Sequence, residues 1–170
     1  TGLKLEVLSG IEEARASAAG LMTDPNIDSW NHFRALDLGG GSLEVMEVDD
    51  RVLRQAVSLP LGAVALARAC SVNLEAALSP SLFDEARLRA KGVLDKGLAN
   101  FSSRPLPLVG SGGTLVFLRL LLQGKGDSST SPELEFSRIE ELAYRTASLT
   151  LAQRQERSEE HTSELQSPDH

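Results

Sequence analysis

Residues 35–44 read Ala35-Leu36-Asp37-Leu38-Gly39-Gly40-Gly41-Ser42-Leu43-Glu44, and the alternation continues through Val45-Met46-Glu47-Val48. A short apolar run carries an acid near its end, and three glycines and a serine follow. Alternation of period two on both sides indicates strand, glycine turn, strand. Three consecutive glycines carry a backbone-entropy cost that a plain hairpin rarely needs. Without Cβ atoms, however, several N–H groups can approach one anion, and Asp37 enters the turn where a cation shared with that anion would sit. On residue types alone two readings stay open: an anion cradle with a metal-holding acid, and a Gly-rich hairpin with a solvated Asp.

Working upstream, Leu3 to Leu8 alternates and predicts a short strand. Ser9 with Glu12 forms a capping-box pattern that opens a helix, with Ala14, Ala18 and Leu21 on one face. Met22 to Asn31 is a polar loop, and His32 is expected to be a loop residue before the strand. Downstream, Asp49-Asp50 predicts a tight turn and Val52 to Leu59 a third strand, ended by Pro60. The three strands form an antiparallel meander. Leu61 to Cys70 and Leu82 to Phe101 read as helices, the second turning Ala86, Leu88, Ala90, Val93, Leu94 and Leu98 to the core. Leu106 to Val109 is expected to be a short buried strand, Gly110 to Gly113 a second glycine turn, and Thr114 to Leu122 an apolar helix. Gly124 to Pro132 is a loop; Ser137 with Glu140 repeats the capping-box pattern and opens a helix to Arg145, with a shorter helical turn over Ser148 to Gln155.

Four of these stretches, in order, resemble the exopolyphosphatase/guanosine pentaphosphate phosphatase family of the actin-like, sugar-kinase-like phosphotransferase superfamily. Asp37, Gly39, Gly40, Gly41, Ser42 and Glu44 resemble its second phosphate loop. Ser9-Gly10-Ile11-Glu12-Glu13-Ala14-Arg15 resembles its Ser-Gly-x-Glu-Glu-Ala-Arg segment. Ser58-Leu59-Pro60-Leu61-Gly62-Ala63-Val64 resembles the strand after the loop, and Val109-Gly110-Ser111-Gly112-Gly113-Thr114 its next glycine turn. The resemblance implies an α/β, ribonuclease-H-like half-domain with part of the preceding domain. Residues 1–28 would carry the catalytic segment and a loop crossing between domains, and residues 29–156 the second domain. It also implies a phosphohydrolase that removes terminal phosphate from polyphosphate or guanosine pentaphosphate with Mg²⁺. Asp37 and Glu44 would hold the metal; Gly39, Gly40, Gly41 and Ser42, with Gly112 and Gly113, would hold phosphate; Glu13 would activate the attacking water. A surface role is the alternative for Glu13, Glu44 and Arg15. The competing functions are an ATP-dependent kinase of the same superfamily, against which the Glu13 segment argues, and a noncatalytic phosphate-ligand sensor. The family's first phosphate loop has no counterpart in the sequence, so the chain reads as a fragment, inactive alone, of a cytoplasmic enzyme with room for a homodimer in the intact protein.

Composition agrees with this. The 170 residues are 41% hydrophobic and 24% charged, ordinary for a globular domain. The net charge of -7 argues against a generic nucleic-acid binder. No apolar run approaches the ~18 residues of a membrane span. The single Cys70 excludes an internal disulfide and a cysteine-based zinc site, and it reads as a small core residue. Residues 157–170 lack apolar periodicity, and their first eleven, Arg157 to Ser167, match the in-frame translation of a common sequencing adapter. They read as a non-native tail, which also removes His161 and His170 from any metal argument.

Overall fold

The computed structural model describes residues 6–123 and 133–156. The loop expected over 124–132 and the tail expected over 157–170 lie outside them. The elements run α1 (Gly10–Leu21), a 3₁₀ turn (Pro25–Ile27), β1 (His32–Leu38), β2 (Leu43–Asp49), β3 (Val52–Leu59), α2 (Ala63–Ala69), α3 (Pro80–Gly97), β4 (Leu108–Ser111), α4 (Gly113–Gln123) and α5 (Phe136–Ala147). A last helical stretch spans 151–156.

The four strands form one sheet in the order β3-β2-β1-β4. β1, β2 and β3 are the expected antiparallel meander, whereas β4 runs parallel to β1. This mixed α/β sheet has the start of a ribonuclease-H-like arrangement. Because successive side chains alternate across a strand, the sheet has two faces. On one, Phe33, Ala35, Met46 and Val48 are buried against Ala14 and Ala18 of α1 and Ile27 of the 3₁₀ turn. On the other, Leu43, Val45, Leu59 and Leu61 meet Leu66 of α2, Ala90, Val93 and Leu94 of α3 and Leu98, which caps α3. Helix α4 lies against β4 and β1, and α5 against α4.

Helix α1 packs on the sheet, sharing a core with β1 and β2. The connector holds its shape through the β2–β3 turn. Asp50 and Arg51 both have positive φ, 51° and 55°, the geometry of a type I′ hairpin turn, which suits Asp at the first position but not Arg at the second. The Arg51 guanidinium stabilises the conformation by donating to the carbonyls of Met22, Ile27, Asp28 and Trp30.

Other expectations shift by local physics. Glu6 to Leu8 is not a strand; Val7 is 98% exposed, and the segment leads only into the Ser9 cap. The expected strand residues 3–5 lie outside the described residues. His32 is the first residue of β1, its ring bonded to Asp49. Helix α3 begins two residues early because Ser79 caps it and Pro80 takes the first helical position, where its lacking N–H costs nothing. Leu88 faces solvent, 72% exposed. Helix α5 starts at Phe136 with Glu135 at the cap, so Ser137 lies inside it, and the last helical stretch is instead capped by Thr150 with Gln153. β4 is an edge strand rather than a buried one, with Leu108 61% exposed. Cys70 is buried.

Candidate active site

The register of the sheet assembles the site. Asp37 pairs with Glu44, Glu44 with Ser58, and Asp37 on its other side with Ser111. One polar rung, Ser58–Glu44–Asp37–Ser111, therefore crosses all four strands on the α1 side, next to an apolar rung of Ala56, Met46, Ala35 and Val109. The sequence shows only that Glu44 follows Ser42 by two; pairing is what sets it directly opposite Asp37.

Two like charges directly opposite one another repel. Glu44 is only 5% exposed, and among the described residues no Lys, Arg or His forms an ion pair with either acid. Hydroxyls hold them instead. The Ser58 Oγ donates to Glu44 Oε1 at 2.6 Å and the Ser17 Oγ of α1 to Asp37 Oδ2 at 2.5 Å. The other carboxylate oxygens, Oδ1 and Oε2, have no hydrogen bond among the described residues. Two hard oxygens on facing acids, without a cationic partner, fit a small divalent cation completed by water and phosphate oxygens. No three His, Cys, Asp or Glu among the described residues converge on one metal position, so such an ion would rest on these two.

The glycine loop closes beside this pair. Gly39 N–H donates to Ser42 O at 3.1 Å, while the N–H groups of Gly40, Gly41 and Ser42 have no partner among the described residues. Their direction is set from behind. At the N-terminus of α2, Ala63 N–H donates to Gly39 O at 3.0 Å, and Val64 and Ala65 N–H donate to Gly40 O at 2.9 and 3.0 Å. In a trans peptide the N–H points opposite the carbonyl of the same plane. Tying the carbonyls of Gly39 and Gly40 to α2 thus turns the N–H groups of Gly40 and Gly41 away from it. Gly62 permits the approach: a Cβ there would meet Gly40 C at 2.3 Å and Gly41 C at 2.4 Å.

The second glycine turn joins the same end, because β4 runs parallel to β1 and both finish there. Gly112 has φ +94°, and a Cβ on it would lie 2.7 Å from Asp37 Oδ1 and 2.9 Å from Leu38 O. It is thus a neighbour of the acid. Gly113 opens α4 one residue later. In open α/β sheets ligands bind where neighbouring connections diverge beyond the carboxyl ends of strands, the position of these two turns.

Glu13 lies on α1, three residues after Gly10 and four before Ser17. Gly10 sits against Ser58, where a Cβ would also come within 3.8 Å of Glu44 Oε1, and Ser17 bonds Asp37. Positions three and four apart share a helix face, so Glu13 occupies the flank between the two contacts. It is exposed, with no side-chain partner among the described residues. Glu12 is the capping residue: its carboxylate accepts from Ser9 N–H and Oγ, each at 2.7 Å, which holds its pKa below the ordinary value. Arg15 is exposed and further lowers the Glu12 pKa by its charge. Sequence reasoning missed Ser17, Ser58 and Gly62. The seven-residue spacing of Ser17 from Gly10 returns it to the same helix face, but nothing in the sequence pointed that face at Asp37.

The sequence matches the Ppx/GppA phosphatase family over residues 1–162. The chain belongs to that family. It is 40% identical over 73 residues to exopolyphosphatase 1 of Mycobacterium leprae, a match covering 40% of this chain and 20% of that protein. Among solved structures it resembles an exopolyphosphatase-like protein (TM-score 0.78, 23% identity, 91% of this chain and 50% of that one). It also resembles an exopolyphosphatase from Cytophaga hutchinsonii (TM-score 0.72, 20% identity, 89% and 50%). The chain thus spans about half the length of these solved structures. The match to residue 162 extends into the stretch that reads as a non-native tail.

Proposed function

We propose that this chain is the part of a phosphohydrolase that holds the terminal phosphate of polyphosphate or guanosine pentaphosphate, with Mg²⁺ bound between Asp37 and Glu44. The observation that carries this reading is the juxtaposition of two facing acids without a cationic partner and a loop whose Gly40 and Gly41 N–H groups are turned outward. The loop, with the Ser42 hydroxyl and the Gly112–Gly113 turn, binds the anion. Mg²⁺, when bound, supplies positive charge against the phosphoryl oxygens. Glu13 orients a water and takes its proton as the water oxygen bonds to the terminal phosphorus. The bridging P–O bond breaks, and its electron pair leaves with the shortened chain. Phosphate release without any acceptor alcohol separates this from kinase chemistry. A sensor would bind the same ligands with Glu13 dispensable.

The test uses an enzyme of the length of the solved relatives that contains these residues. Glu13→Gln is expected to lower kcat by at least ~10²-fold with KM little changed, as for an interaction made only in the transition state. Turnover within a few-fold of the parent enzyme would reduce Glu13 to a helix-surface acid.

A further inference from the structure

We propose that Ser17 and Ser58 are positioning residues of the metal site, each occupying one oxygen of a carboxylate so that Asp37 and Glu44 present one oxygen apiece to the cation. The inference rests on the reading of those two acids as metal ligands.

The geometry is reciprocal. Ser58, on β3, holds Glu44 Oε1 from the neighbouring strand. Ser17, on α1, holds Asp37 Oδ2 from the helix above the sheet. A carboxylate on a strand can rotate about its terminal torsion, which has broad minima. A hydroxyl bonded to one oxygen removes that freedom and directs the other. For Asp37 the remaining oxygen is the one beside Gly112, at the mouth of the second glycine turn. For Glu44 the hydroxyl fits because Gly10 has no side chain: a Cβ there would lie 2.4 Å from Ser58 Oγ. Partners that orient ligands in this way typically contribute 10- to 100-fold in metal affinity. Ser17 has a second effect. It stands one turn from Glu13 on the same helix, so its bond to Asp37 also fixes that helix against the acid pair.

The test measures Mn²⁺ binding by electron paramagnetic resonance, independent of turnover, to an enzyme of the length of the solved relatives that contains these residues. Asp37→Asn is the control for the metal reading, and thermal unfolding without metal is followed in parallel. Ser17→Ala and Ser58→Ala are each expected to weaken Mn²⁺ binding about 10-fold or more, whereas Ser17→Thr, which keeps the hydroxyl, restores it to near the parent value. If Asp37→Asn abolishes binding but both alanine variants bind like the parent, the serines are ordinary structural partners and the inference is overturned while the metal reading stands. If the alanine variants only lower the unfolding temperature, the result is the same. If the parent and Asp37→Asn bind alike, or neither binds, the metal reading falls and the inference with it.

Discussion

At the scale of single residues, the glycines of the site divide by what a methyl group would meet. At Gly62 a Cβ collides with the Gly40 and Gly41 backbone, whereas at Gly41 nothing lies within 4 Å. Gly62→Ala should therefore destabilise the chain by about 1–3 kcal/mol or more, the range for overpacking against atoms that cannot rotate away. Gly41→Ala should leave stability within ~1 kcal/mol, because its methyl meets open space, and weaken inorganic phosphate binding by crowding a loop that needs close backbone approach to its anion. Urea unfolding and phosphate titration of the two variants separate these effects; equal loss of stability in both would contradict the loop geometry. The glycines and the two acids were legible because their chemistry is local. Ser17 and Ser58 were not, since each acquires its partner only through packing across 20 and 14 residues of chain.

For the elements, the end caps are the most readable features where side chain and backbone close a loop of three residues. Ser9 with Glu12 is such a case, and its consequence is a pH dependence. The Glu12 pKa is lowered in the folded chain, first by the Ser9 hydroxyl and then by its N–H. The ionised form is therefore favoured by folding. This stabilisation is complete above the ordinary carboxylate range and is lost as pH falls through the lower folded value. Glu12→Gln keeps a hydrogen-bonding side chain without charge. The stability gap between parent and variant is expected to be widest near neutral pH and to close in acid. A gap that grows in acid would show that Glu12 is not the group involved. Ser137 with Glu140 shows the limit of the same reasoning. The pattern is present, but the helix begins before Ser137, because Phe136 already takes helical geometry behind Glu135. A cap motif identifies a helix more securely than its first residue.

For the whole molecule, the meander, a fourth strand and the two glycine turns were legible from alternation, turn residues and family resemblance together, whereas the parallel pairing of β4 with β1, which brings both turns to one end, was not. What escaped was the mounting of α1 on the sheet, where Ala14, Ala18 and Ile27 share a core with Phe33 and Met46. The small residues of α1 are the physical reason, since Ala14 and Ala18 let the helix lie close to the strands. Apolar side chains of Val116, Phe117 and Leu120 on α4 are exposed. Among the described residues no helix is long and apolar enough to cross a membrane.

The linkage between α2 and the glycine loop has an electrical meaning. Helix α2 carries its positive end toward Gly39 and Gly40, yet an anion in the loop would never touch it. If the helix polarises the peptide planes between them, those planes offer the anion stronger donors than an unsupported loop would. Ala63→Pro tests this without dismantling the helix. Proline suits the first helical position, and Gly62, with φ -60° and ψ 154°, already has the backbone that precedes proline. The N–H donated to Gly39 is removed and the ring Cδ takes its place against Gly39 O, so the loop is uncoupled from the helix end. Helix content by circular dichroism should hold while phosphate affinity falls severalfold. If affinity is unchanged, the loop donates to its ligand unaided, and α2 is merely its neighbour.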